Sequence, residues 1–115
     1  MDKKAFRDFV LDQLAPLGEV AAKHMSGGFG LYHADAFFAV LDGGRMYLRA
    51  DDINRPDFEA RGMGPFEYAP GQVMRGYHEV PADVLEDDAG LSRWCRAAIE
   101  AARRAPRKKP RKPRA

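Results

Sequence analysis

Apolar residues set the first period along the chain. Phe6, Phe9, Val10, Leu14 and Leu17, with Gln13 among them, return every three to four positions. That spacing lines them up on one stripe of a helix, with Asp2 available to cap its start and Gly18 to stop it. From Val20 to Ala50 the period changes to short apolar or alternating segments, broken by Gly27-Gly28, His33-Ala34-Asp35 and Asp42-Gly43-Gly44. These are strand and turn signals for three or four strands. Asp-Gly-Gly ahead of Arg45-Met46-Tyr47-Leu48 predicts a hairpin, because glycine supplies the positive φ that a tight two-residue turn requires. In Ala36-Phe37-Phe38-Ala39-Val40-Leu41 both alternating sets are apolar, as in a strand covered on both faces and therefore central in its sheet.

A short helix is expected between Asp52 and Arg61, with Asp52 or Asn54 as cap, Pro56 in the first turn and Gly62 at the end. Phe66 to Tyr68 and Val73 to Val80 flank Pro70-Gly71 as a second hairpin. Pro81 stops that strand, Asp83 to Glu86 forms a single turn, and Asp87 or Asp88 caps the last helix. In that helix Leu91, Trp94, Cys95, Ala98, Ile99 and Ala102 fall at i, i+3, i+4, i+7, i+8 and i+11, so one face closes the core. The order predicts an α+β fold: an antiparallel sheet of about five or six strands, with an N-terminal helix, a short middle helix and a C-terminal helix packed on it. From Pro106 onward there is no apolar period, and three prolines forbid helix. The expected division is a folded domain over 1–104 and a disordered, extended basic tail over 105–115.

Charge sharpens that division. The 115 residues carry 19 basic and 17 acidic groups, a net of +2, and their number suits one domain and excludes a large multidomain enzyme. Eight of the cations lie at the end with no acid among them: Arg103, Arg104, Arg107, Lys108, Lys109, Arg111, Lys112 and Arg114. Residues 1 to 102 hold the other 11 basic and all 17 acidic groups, a formal charge of −6. An acidic body with a cationic end points to nonspecific phosphate contact through the tail, since a Lys/Arg/Pro tract offers no fixed reader of base edges. The competing reading is a solubilising tail that folds back on the acidic body. A single cysteine excludes an intramolecular disulfide framework. No signal-peptide pattern opens the chain, and the longest apolar run is six residues, Ala36 to Leu41. A cytoplasmic protein with no membrane partner is expected.

Residues with chemical potential do not gather into a motif. Gly27-Gly28-Phe29-Gly30 lacks the Lys-Ser/Thr of a phosphate loop and the full dinucleotide fingerprint, so its glycines read as relief of crowding in a sheet. His24, His33 and His78 show no zinc spacing with one another or with Cys95; His33 and His78 read as surface or cross-strand contacts. Asp51-Asp52 and Asp87-Asp88 have no calcium-loop surroundings and read as helix caps. The chain has no threonine and two serines, Ser26 and Ser92, and no nucleophile elbow. Cys95 lies on the apolar stripe beside Trp94, where a buried thiol is a small hydrophobe. Phenylalanines read as core, whereas Tyr32, Tyr47 and Tyr77 suit either a core or a protein interface. No catalytic residue, cofactor or metal ligand is assigned.

From Met25-Ser26-Gly27-Gly28-Phe29-Gly30-Leu31-Tyr32 onward the chain resembles the TfoX N-terminal domain family. The likeness runs in order through Phe37-Phe38-Ala39-Val40, the Asp42 to Asp51 segment, Asn54 to Gly62, Pro65 to Tyr68 and Tyr77 to Pro81, and ends with Val84 to Asp87 and the Trp94 helix. The resemblance implies a small α+β domain that is not an enzyme, similar to the N-terminal half of the TfoX/Sxy regulators of natural DNA competence. Those regulators are held to act as coactivators beside a cyclic-AMP receptor protein, and they carry a second, helical domain where this chain has its basic tail.

Two functions from different classes follow as expectations. The first is a non-enzymatic regulatory or protein-interaction domain with an unidentified, transcription-related protein partner, its tail in contact with nucleic acid. The second is a small enzyme or ligand-binding protein with a pocket near Gly27 to Gly30, into which at least two of His24, Ser26, Tyr32 and His78 converge. Homodimerisation through a sheet edge or the tyrosine-bearing face is compatible with both.

Overall fold

A computed structural model describes residues 2–25 and 27–105. Helix α1 (Lys3–Gln13) leads into strands β1 (Ala21–Met25), β2 (Gly28–His33), β3 (Ala36–Asp42) and β4 (Arg45–Arg49). Then come helix α2 (Arg55–Ala60), strands β5 (Pro65–Ala69) and β6 (Gln72–Glu79), the single turn α3 (Ala82–Leu85) and helix α4 (Asp88–Arg104). The six strands form one antiparallel sheet in the order β1-β2-β3-β4-β6-β5. This is the expected α+β architecture, with β3 in the interior of the sheet. Among the described residues no helix is long and apolar enough to cross a membrane.

The core lies between the helices and one face of the sheet. Val10 and Leu14 from the first helical segment, Leu91, Cys95 and Ala98 from α4, and Leu31, Leu41, Met46 and Leu48 from the strands are fully or almost fully buried there. Register in β2–β3 shifts by one: Leu31 faces Ala39 while Tyr32 faces Phe37, so Phe38 is an extra residue on β3. A bulge of this kind turns two successive side chains toward one side, and Phe38 and Ala39 both enter the core.

Among the described residues no helix covers the other sheet face, which carries a smaller cluster of Val40, Tyr47, Phe66 and Tyr77, with Phe37 and Met74 packed against it. Tyr47 on β4 and Phe66 on β5 bring their ring centroids to 4.3 Å although β6 lies between those strands. In a flat sheet the two would stand roughly 10 Å apart. The β5–β6 hairpin therefore curls back over this face, helped by register shifts between Pro65 and Phe66 and between Glu67 and Ala69.

Several local expectations change in detail. Helix α1 stops at Gln13 rather than Gly18, since Pro16 has no amide hydrogen to continue the α-helical ladder and its ring crowds the carbonyl four residues back; a 3-10 turn over Ala15–Leu17 follows, and Gly18 at φ 83° ends that turn. Asp2 does cap α1, accepting from the Ala5 amide at 2.7 Å. Asn54 occupies the cap position of α2 but makes no capping bond. It accepts instead from the Asp51 amide (2.7 Å) and donates to the Arg49 carbonyl (3.0 Å), tying β4 to the helix entry. The carboxylate that receives amides there is that of Asp51, from Ile53 and Asn54. Asp87 holds the N-cap position of α4 without a side-chain capping bond. His78 is not a surface contact: it is buried, Nδ1 donates to the Met63 carbonyl at 3.1 Å, and its ring packs on Phe58. The hairpin glycines Gly43 and Gly44 take φ of 59° and 74°, the paired left-handed conformation expected of that turn.

Candidate nucleic-acid interface

Of the eight cations predicted to contact phosphate, Arg103 and Arg104 belong to the last turn of α4 and are exposed. Arg107, Lys108, Lys109, Arg111, Lys112 and Arg114 lie outside the described residues. Both described arginines are tied to the body. Arg104 forks onto Asp51, Nε to Oδ2 at 2.8 Å and Nη2 to Oδ1 at 3.1 Å, a two-pronged geometry that fixes orientation as well as charge. Arg103 Nη2 lies 3.2 Å from His33 Nδ1, and His33 Nε2 lies 3.2 Å from the Leu17 carbonyl. A guanidinium only donates and a carbonyl only accepts, so the two contacts fit the tautomer with its proton on Nε2 and its lone pair on Nδ1. Thus the end of α4 is held at two points, one at the end of β2 and one just after β4.

The guanidinium of Arg104 is the main reason the Asp51 carboxyl is held down at about 2. Partial burial opposes this, and the amides of Ile53 and Asn54 add to it. A carboxyl with a depressed folded-state pKa contributes stability that is fully present well above its unfolded value of about 3.8 and is lost as pH falls toward 2. Asp51→Asn keeps the amide contacts and removes the charge. In urea titrations the variant is expected to be less stable than the native chain by about 0.5–1 kcal/mol at neutral pH, the small size reflecting solvent screening. The difference should close between pH 4 and pH 2; a gap unchanged at pH 2 would contradict the assignment.

The remaining sequence candidates are dispersed. His24 is exposed with its ring 4.7 Å from that of Phe29, Tyr32 stacks on Phe37 at 5.1 Å, and His78 is in the core. Ser26 lies outside the described residues. A slot of about 340 Å3 does open beside Gly28, under the curled hairpin, with Met25, Asp42, Phe66, Tyr68 and Met74 among its walls. It takes in none of His24, Tyr32 and His78, so the convergence expected of a catalytic pocket is not found among the described residues. Gly28 and Gly30 have packing reasons to be glycine. A β-carbon at Gly28 would run into the Leu41 carbonyl, and one at Gly30 would lie 2.8 Å from Met25 Sδ and 2.9 Å from Phe37 Cε1. Cys95 is fully buried, and burial pushes its thiol far above the usual range, away from the reactive thiolate. No group of three or more potential metal ligands occurs among the described residues.

With the ordered segments of the sequence now placed on one sheet and its helices, the comparison with known families decides the identity. The family described as TfoX N-terminal domain matches residues 12–102. The chain belongs to that family. No curated protein matches it. The TfoX N-terminal match covers all of α4 but its last two residues, Arg103 and Arg104.

Linear charge counting missed two cations. Arg93 and Arg96 are exposed on α4, on the same side as the helix-end arginines. Their signal was present as helical spacing, but the acidic residues that precede them in sequence hid it. Arg93 also edges a cleft of about 410 Å3 between α2 and α4, floored by Phe58 and Trp94, whose rings meet edge-on at 5.0 Å.

Proposed function

We propose that the chain is a non-catalytic regulatory or protein-interaction domain of the TfoX N-terminal type, with a basic end that binds nucleic acid nonspecifically through phosphates. One observation carries the nucleic-acid part: Arg103 and Arg104 open the cationic run from a helix end clamped to His33 and Asp51. The six further cations therefore follow a rigid point on the domain. Family membership supports a competence-regulator-like role, and the sheet face that no described helix covers, with exposed Met25 and Tyr68, is in keeping with an interaction domain.

A gel-shift titration of the full chain and of a chain ending at Ala105, against a short DNA duplex across salt, tests the reading. Losing six cations is expected to make the log–log salt slope shallower by about 5 and to remove most of the affinity. Equal affinity in both chains would take the tail out of the function.

A further inference from the structure

The cationic side of the molecule begins before Arg103. A helix turns by about 100° per residue, so Arg93, Arg96, Arg103 and Arg104 fall in one sector about 100° wide. That sector lies opposite the stripe of Leu91, Cys95 and Ala98 that packs on the sheet. From Arg93 to Arg103 it runs about 15 Å along the axis. Arg93 and Arg96 are exposed, and neither makes a hydrogen bond or ion pair among the described residues. Arg103 is bonded to an imidazole, which carries no negative charge, and keeps its own charge uncompensated, whereas Arg104 is neutralised by Asp51. Glu100 is the one acid in the sector. Counted from Arg93 onward the chain has ten cations and one acid; residues 1 to 92 have nine and sixteen.

We propose that the solvent face of α4, through Arg93, Arg96 and Arg103, docks on the phosphate backbone of a nucleic-acid duplex and extends the tail's footprint onto the folded domain. This rests on the reading that the basic end engages nucleic acid, and it adds where on the domain the duplex sits. Three free or charge-retaining guanidiniums at fixed helical spacing suit a rigid polyanion, which accepts forked N–H donors along its length. A membrane surface would require large apolar side chains to enter the lipid interface. Beside the arginines and Glu100 this face offers only Ala89, one turn before Arg93, and Ala97 at the sector's edge. Because the contacts are to phosphate, the face contributes affinity and orientation without reading sequence.

The test uses the full chain and a short DNA duplex of arbitrary sequence, with binding followed by fluorescence anisotropy from about 50 to 200 mM salt. Arg93→Gln/Arg96→Gln is expected to flatten the log–log salt slope by about 1.8 and to weaken binding roughly tenfold or more near 0.1 M salt. Glu100→Gln is expected to tighten binding. Lys23→Gln/Arg45→Gln removes the same net charge from strands β1 and β4, away from α4, and should leave the slope unchanged. All four substituted positions in the two double variants are exposed, and unchanged urea midpoints verify that the fold is intact. An α4 double variant with the native slope would overturn the inference, as would equal losses in both double variants, which would mean a long-range field in place of a contact. In either case, loss of affinity on ending the chain at Ala105 would leave the tail reading standing. Native chain that ignores the duplex but binds an acidic protein or anionic vesicles would overturn both.

Discussion

Phe38→Ala is expected to lower the unfolding free energy by about 3–5 kcal/mol. Phe38 is fully buried, and it is the extra residue of the β2–β3 bulge, so its ring enters the core beside Ala39 instead of pointing to the opposite face. Truncation loses the transfer free energy of the ring and leaves a cavity walled by strands and by α4, which a hydrogen-bonded interior strand has little freedom to close. For a domain whose whole stability is about 5–15 kcal/mol, such a loss brings the chain close to unfolding at ordinary temperature. Urea titration of native and variant chains measures it, with Phe38→Leu as a milder companion. A loss under about 1 kcal/mol would mean that Phe38 does not fill the core as described.

Gly28→Ala should cost about 3 kcal/mol, at or above the upper end for overpacking. The obstacle is backbone: the new β-carbon would collide with the Leu41 carbonyl of the paired strand, and neither chain can move without breaking the β2–β3 ladder. Gly64→Ala supplies the contrast, since a β-carbon there meets nothing within 4 Å and the backbone is not left-handed. That substitution is expected to be neutral or stabilising by up to about 1 kcal/mol, through the reduced freedom of the unfolded chain. Comparable losses in the two variants would refute the close approach at Gly28.

The glycine-rich segment shows how sequence reading and structure divide the work. Absence of a phosphate-loop partner was enough to turn Gly27-Gly28-Phe29-Gly30 away from nucleotide binding and toward sheet packing. Which atoms crowd each glycine depends on the Leu41 carbonyl and the Phe37 ring, 13 and 7 positions further along the chain. His78 is a similar case. Alternation along β6 places it on a face, but only the fold decides that this face meets Phe58 and the Met63 carbonyl rather than water.

The candidate interface was legible where charge runs without interruption. Arg103 and Arg104 stand out in the sequence because no acid follows them, whereas Arg93 and Arg96 are masked by a neighbourhood rich in acids and become visible once α4 is wound and its buried stripe is known. The clamp onto His33 and Asp51 joins residues 70 and 53 positions apart, a distance that no local pattern spans.

Periodicity, turn chemistry and charge order are local properties, and from them the sequence alone determined the element order, both hairpins, the buried stripe of α4 and the acidic-to-basic division of the chain. The tertiary structure decided what depends on distant pairing: the bulge that turns Phe38 inward, the hairpin curled over the sheet face that no described helix covers, the burial of His78 and the anchoring of the α4 arginines. The physical reason is that backbone propensity acts within a few residues. Register, close approach and side-chain pairing are settled by whichever distant segment fills the remaining space.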